Sequence, residues 1–172
     1  MNPAGPESAE LMRFRVGFGW DVHRTEPGEA IVIGGVPIPA PFRLAGHSDA
    51  DVLLHAITDA VLGAANLGDI GMHFPDTDPQ WKNASSDVFL KRAIELAASR
   101  GYRIANVDAT VILEQPKLKD YRRPIRDNVA SVMGLDAGQV SVKFKTAEKT
   151  GPVGEGRSVE AQAVVLLVSR GE

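Results

Sequence analysis

An aspartate and a histidine stand two residues apart in the segment VGFGWDVHR. From Arg13 to Arg24 apolar residues alternate with small or polar ones, which predicts a β-strand whose residues i and i+2 share one face. Asp21 and His23 then lie roughly 6.5 to 7 Å apart along the chain. A zinc ion at about 2 Å from each ligand atom fits between two such side chains. A solvated strand end explains the same pair equally simply.

A further histidine, His55, stands among apolar residues whose spacing predicts a helix. A buried histidine needs partners for both ring nitrogens, and a backbone carbonyl can serve as one. Asp59, one helical turn on, is a candidate for the other, and a carboxylate behind a histidine also suits the support of a metal ligand. Asp21, His23 and His55 together form a two-histidine, one-carboxylate set, which leaves a tetrahedral zinc one open position for catalysis. The sequence alone leaves their convergence open.

The entrance of this helix carries His47 and Ser48. Ser48 is predicted to be the N-cap, and Asp51 three residues later completes a start that is similar to a capping box. The positive end of the helix, with its free N–H groups, would also suit an anion. Capping uses one donor and leaves others, so both interpretations stand.

Two later segments also allow two interpretations. The segment DIGMHFPDTDP, residues 69–79, is a polar loop that fits either an acidic surface with Asx turns or the binding of a polyol. Glu148 stands among lysines, where it is either an exposed ion-pair partner or the one carboxylate that holds a magnesium ion with phosphate oxygens. Residue types alone do not choose between these roles.

The composition limits the classes of function. The chain has 172 residues, 44% of them hydrophobic, and a net charge of −3 with no dense basic block, which argues against nucleic acid as a partner. There is no cysteine, so disulfides and thiolate metal sites are excluded. No apolar run approaches the ~20 residues of a membrane span, and the start does not resemble a signal peptide. We expect a cytoplasmic protein with no membrane partner.

The order of predicted elements indicates one α+β domain. We expect a flexible leader over residues 1–12 and a single domain over 13–170. Its predicted core is a mixed four-stranded β-sheet with helices on one face. Residues 30–40, interrupted by Gly-Gly and two prolines, predict a small edge hairpin.

Three segments taken together are more specific than any residue pair. From about Arg15 to Val168 the chain resembles the 2-C-methyl-D-erythritol 2,4-cyclodiphosphate synthase family. The segments that carry the resemblance are GWDVHR, LAGHSDADVLLHAITDAVLGAANLGDIGMHFPDTDP and TAEKTG. The resemblance implies a phosphorus–oxygen lyase of the non-mevalonate isoprenoid pathway, which cyclises 4-diphosphocytidyl-2-C-methyl-D-erythritol 2-phosphate and releases CMP. It also implies a homotrimer with active sites at subunit interfaces. A zinc-dependent phosphohydrolase is the alternative enzyme, and a nucleotide- or metal-binding module the alternative outside catalysis.

The resemblance also implies roles for individual residues. Asp21, His23 and His55 match zinc ligands. Glu148 matches the ligand of a magnesium or manganese ion that is shared with the substrate's diphosphate. The other matched positions are His47, Ser48 and Thr146 beside the phosphates, Asp69, Gly71, Phe74 and Asp76 in the loop around the methylerythritol, and Pro116 and Lys117 in the cytidine pocket wall.

Overall fold

The computed structural model describes residues 13–170, so the predicted leader, residues 1–12, lies outside them. Its strands are β1 (Phe14–Pro27), β2 (Ala30–Ile33), β3 (Val36–Pro39), β4 (Phe42–Leu44), β5 (Tyr102–Ile112), β6 (Val140–Lys145) and β7 (Ser158–Ser169). The main sheet has the order β4-β1-β7-β5-β6, with β5 and β6 parallel and the other pairs antiparallel. The predicted α+β class with a mixed sheet is confirmed.

Two details of the sheet differ from the prediction. The main sheet has a fifth strand, β4, which pairs with the end of β1; three residues are too few for an alternating pattern to reveal. The hairpin of β2 and β3 forms a two-stranded sheet of its own instead of an edge of the main one. Its turn residues, Gly34 and Gly35, both have positive φ, as a tight two-residue hairpin requires.

The helices cover one face of the main sheet, as predicted. They are α1 (Val52–Ala64), α2 (Ile70–His73), α3 (Ser86–Ser99), α4 (Arg122–Met133) and α5 (Gly151–Gly154), with 3-10 turns at Pro79–Trp81, Lys119–Tyr121 and Ala137–Gln139. Helix α1 is almost completely buried and packs against β1, β7 and α3. None of the helices within residues 13–170 is long and apolar enough to cross a membrane.

Helix α1 contacts β1 through glycines. A Cβ atom on Gly17 would lie 1.9 Å from the carbonyl oxygen of Ala60, and one on Gly19 would lie 1.9 Å from that of Ala56. Such distances are far inside van der Waals contact, so only glycine lets helix and strand approach this closely. The same face of β1 carries Asp21, which is thereby brought against α1.

The other face of β1 is apolar, and nothing in residues 13–170 covers it. The exposed fractions are 59% for Phe14, 69% for Val16, 62% for Phe18, 48% for Trp20 and 37% for Val22. The neighbouring strand β7 extends this surface, since Val164, which is 42% exposed, pairs with Phe18. Contiguous apolar patches of this kind mark interaction surfaces.

The N-cap of α1 is Asp51, so the prediction of Ser48 at this position is wrong. The fully buried carboxylate of Asp51 accepts hydrogen bonds from the backbone N–H groups of Leu53 and Leu54, each at 3.1 Å. It also accepts from the N–H groups of Gly34 at 2.9 Å and Gly35 at 2.6 Å. Two carboxylate oxygens satisfy four donors here, which one serine hydroxyl cannot do. Asp51 therefore joins the hairpin to the start of α1.

We expect Gly19→Ala to destabilise the protein by at least about 3 kcal/mol, because the new methyl group collides with helix backbone that cannot rotate away. Gly138→Ala is the matched control, since a Cβ there has nothing within 4 Å. Urea unfolding followed by circular dichroism measures both. Equal unfolding midpoints for the two variants would contradict the packing described for β1 and α1.

Candidate active site

Asp21, His23 and His55 converge at one corner of the molecule. The Oδ2 atom of Asp21 lies 3.0 Å from Nε2 of His23 and 3.0 Å from Nδ1 of His55. The two ring nitrogens lie 3.1 Å apart. These side chains are mostly buried, with 25%, 15% and 11% of their surface exposed, respectively. The structure thus settles the convergence that the sequence left open.

The orientation of His23 is fixed by the backbone. Its Nδ1 lies 2.8 Å from the carbonyl oxygen of Ala45. A carbonyl only accepts, so Nδ1 carries a proton, and in the neutral imidazole Nε2 presents its lone pair to the cluster. Ligand atoms at 2.0–2.1 Å from a tetrahedral zinc are about 3.3 Å apart. The three contacts are close to that spacing, so the geometry and the donor set fit a divalent metal ion.

The charges at this corner favour a cation. Burial raises the pKa of Asp21, but hydrogen bonds and charge from His23 and His55 outweigh it and hold that pKa well below its usual range. Burial lowers the pKa of His23, but the hydrogen bond to Asp21 and the negative charge of Asp21 together raise it by more. The net shift of the His23 pKa is therefore upward. The carboxylate stays ionised and attracts positive charge, whether a proton or a metal ion.

The prediction that Asp59 supports His55 is wrong. Asp59 accepts a hydrogen bond of 2.7 Å from the N–H of Ile70 and so holds the start of α2. The outer ring nitrogen of His55, Nε2, instead faces the hydroxyls of Ser48 at 3.1 Å and Ser86 at 2.8 Å. Sequence analysis missed Ser86, because a contact between residues 31 positions apart leaves no periodic signal.

The metal-ligand cluster opens into a cavity of about 440 Å³, the first cavity. Most sequence-predicted residues of the phosphate and methylerythritol regions line it. Thr146 and Asp69 do not: Thr146 lines another cavity, and the side chain of Asp69 caps α2 by accepting from the N–H of Met72 at 2.9 Å. The lining residues are His23, His47, Ser48, His55, Ile70, Gly71, Phe74, Pro75, Asp76, Trp81 and Phe89.

His47 and Ser48 lie in the loop before α1. The Nε2 atom of His47 is buried without a hydrogen-bond partner anywhere in residues 13–170, and the residue lines the first cavity. The idea that the N-terminus of α1 binds an anion is wrong, because Asp51 takes the N–H groups of Leu53 and Leu54. Anion binding here would depend on side chains.

Aromatic rings close one side of the first cavity, a feature that sequence analysis missed. The ring centroid of Phe74 lies 4.7 Å from that of Phe89 and 5.2 Å from that of Trp81, and Phe89 also faces His55 at 6.0 Å. The helical spacing of Phe89 with Leu90 and Ala93 was the signal available, and it indicates burial but no partner. These rings restrict water around the cluster.

A second cavity, of about 280 Å³, contains the residues predicted for the cytidine pocket. The lysine and arginine side chains that line it suit a nucleotide phosphate. Close by, the hydroxyl of Thr146 donates a hydrogen bond to Oε1 of Glu148. The backbone of Glu148 has a positive φ. The lining residues are Leu113, Pro116, Lys117, Leu118, Lys119, Arg122, Phe144, Lys145 and Thr146.

The two cavities share no lining residue. Across the sheet, Asp21 pairs with Ala161, Ala161 with Val111, and Val111 with Phe144. Those three strand steps amount to about 14 Å at the usual strand spacing. One chain therefore holds the predicted cytidine wall and the metal-ligand cluster apart.

Comparison with known proteins connects these features to a family. A model described as the YgbB family matches residues 14–168. This chain belongs to the YgbB family. The 2-C-methyl-D-erythritol 2,4-cyclodiphosphate synthase of Solibacter usitatus is 63% identical over 91% of this chain and 99% of its own length.

Solved structures of YgbB-like synthases share the fold. A 2C-methyl-D-erythritol-2,4-cyclodiphosphate synthase in a CDP-bound form is 40% identical, with a TM-score of 0.82 over 89% of this chain and 99% of that one. IspF of Plasmodium falciparum in a CDP complex is 36% identical, with a TM-score of 0.81 over 92% of this chain and 98% of that one. Both neighbours therefore hold a cytidine nucleotide on a closely similar backbone.

Proposed function

We propose that this YgbB-family enzyme converts 4-diphosphocytidyl-2-C-methyl-D-erythritol 2-phosphate into 2-C-methyl-D-erythritol 2,4-cyclodiphosphate and CMP, in isoprenoid biosynthesis. The single observation that carries the proposal is the Asp21–His23–His55 cluster, whose two histidines line the first cavity. The 63% identical relative that bears the synthase name supports the same reaction.

The reaction needs positioning more than strong acid or base. An oxygen of the substrate's 2-phosphate attacks the β-phosphorus, the bond from that phosphorus to the CMP oxygen breaks, and CMP leaves with its electron pair. The nucleophile is already anionic, so no proton must be removed. Holding the two centres near each other and in line can supply several kcal/mol.

The residues around the first cavity would divide this work. Asp21, His23 and His55 would hold zinc, which when bound supplies Lewis-acid neutralisation of phosphate charge. His47 and Ser48 would donate hydrogen bonds to phosphate oxygens, since both residues line this cavity and Nε2 of His47 has no partner within residues 13–170. The remaining proposed contacts are with the methylerythritol: Gly71, Phe74 and Asp76 from the cavity lining, and Asp69 through the loop that it caps.

Residues beside the second cavity would hold the other half of the substrate. Glu148 would bind magnesium or manganese together with phosphate oxygens, and Thr146, which now donates to Glu148, would contact the diphosphate. Pro116 and Lys117 would form the cytidine wall. The CDP-bound structure of a 40% identical synthase supports a cytidine nucleotide as ligand.

The assembly we propose is a homotrimer in which neighbouring chains complete each site. Two observations support it. The apolar face of β1 and β7 is uncovered in a single chain, and the two cavities lie about three strand spacings apart. In such a trimer, the second cavity of one chain and the metal-ligand cluster of its neighbour would form one site.

Incubation of the purified protein with the diphosphocytidyl substrate tests the proposed reaction. We expect stoichiometric CMP and cyclic diphosphate by phosphorus NMR, whereas a zinc-dependent phosphohydrolase would release inorganic phosphate. His55→Ala should lower kcat/KM at least about 1000-fold, the loss of roughly 4 kcal/mol of charge stabilisation. Inorganic phosphate as the main product, or full turnover by a folded His55→Ala variant, would refute the proposal.

Glu148→Ala should raise the magnesium concentration needed for half-maximal rate by about tenfold or more, because one anionic ligand is lost. Glu95→Ala is the control, since Glu95 is an exposed carboxylate on α3 paired only with Arg92 among the described residues. Magnesium titrations of both variants at saturating substrate decide the point. A Glu148→Ala curve that overlays the wild type would remove Glu148 from the metal site.

Phe18→Asp should dissociate the trimer, because it places a charge in the apolar face of β1 while the exposed side chain adds little to the fold of one chain. Sedimentation equilibrium should give about three times 18.4 kDa for the wild type and 18.4 kDa for the variant. Val88→Asp on α3, exposed but distant from this face, should stay trimeric. A wild type that sediments as one chain would overturn the proposed assembly.

A further inference from the structure

The ligand nitrogen of His55 depends on what its other nitrogen does. Nδ1 of His55 faces Asp21 and His23, while Nε2 lies 2.8 Å from Oγ of Ser86. Ser86 is fully buried as the first residue of α3, so no solvent competes for this contact. A neutral imidazole carries one proton, and whichever nitrogen bears it is lost as a metal ligand.

The direction of the bond between Ser86 and His55 follows from Asp49. The hydroxyl of Ser86 donates its only proton to Oδ1 of Asp49, and Oδ2 of Asp49 accepts the backbone N–H of Ser86 at 3.1 Å. An ionised carboxylate only accepts, so the Ser86 hydroxyl has no second proton to give to His55. Oγ of Ser86 must therefore accept a hydrogen bond from the Nε2–H group of His55.

Ser48 does not force the same outcome. Its hydroxyl oxygen lies 3.1 Å from His55 Nε2 and accepts from the N–H of Ala50 at 3.2 Å, but no carboxylate within residues 13–170 accepts its proton. The hydroxyl of Ser48 is free to turn toward a ligand in the first cavity, which Ser48 lines. The chain Asp49–Ser86 alone has a defined direction.

We propose that Ser86, held by Asp49, is a positioning residue that keeps the proton of His55 on Nε2 and so aims the Nδ1 lone pair at a divalent metal ion. The proposal deepens the proposed function, on whose metal site it rests. It gives the site a carboxylate–serine–histidine support in the place where Asp59 was expected. Such supports commonly change metal affinity when they are removed.

Chelator competition with zinc measures the effect without turnover. Ser86→Ala should weaken zinc binding by about 10- to 100-fold. Ser85→Ala is the matched control, one residue earlier: its exposed side chain makes no capping bond to the backbone of α3 and bonds to the carboxylate of Asp87, so this variant should bind zinc like the wild type. A folded Ser86→Ala variant with wild-type zinc affinity would overturn the proposal.

The tautomer itself can be read in the zinc-loaded wild type, so the test does not depend on how Ser86→Ala folds. Long-range proton–nitrogen NMR should show the proton of His55 on Nε2 and none on Nδ1. A wild-type His55 with its proton on Nδ1 would overturn the proposal, even if CMP release is confirmed. The expected tautomer together with no CMP release would instead refute only the proposed reaction.

Discussion

The ligand atoms of Asp21, His23 and His55 lie about 3 Å from one another in a site that is largely closed to water, and the neighbouring structure holds them there. The lone pair of His23 is directed inward by a backbone carbonyl, and Asp21 stays ionised beside it. Donors held so close repel one another unless a cation lies between them. A proton or a divalent metal ion is therefore stabilised among these three side chains.

The packing of α1 on β1 sets this geometry. Gly17 and Gly19 let the helix contact the strand directly, and that contact brings His55 of the helix to Asp21 of the strand. Asp51 fixes where the helix begins by bonding to its first N–H groups and to the hairpin turn. The features that look structural thus determine the spacing of the functional side chains.

The two faces of the sheet have different tasks. The glycine, aspartate and histidine face of β1 packs against α1 and forms the metal-ligand cluster, while the face with Phe18 is apolar and uncovered in one chain. The proposed trimer would give both the apolar outer face and the separation of the two cavities one explanation, since association would cover that face and join the cavities of neighbouring chains. The sequence pattern alone does not say which face of β1 packs inward.

Local patterns predicted more of this molecule than its long-range contacts. Period-two alternation predicted β1 with Asp21 and His23 on one face, and helical spacing predicted α1. Both patterns depend only on residues that are close together in the sequence. The N-cap was misplaced, since Ser48 and Asp51 both suit that role and only the tertiary bonds of Asp51 to the hairpin decide between them. The contacts of Ser86 with His55 and Asp49 were out of reach, because they join a loop and two helices that only the fold brings together.

X-ray absorption at the zinc edge of protein loaded with one zinc per chain tests the central claim most directly. The account predicts four light ligand atoms at about 2.0 Å, with the outer-shell scattering of two imidazoles from His23 and His55. His55→Ala should lose one imidazole from that signal. A zinc spectrum without imidazole scattering, or one that His55→Ala leaves unchanged, would show that these side chains do not hold the cation.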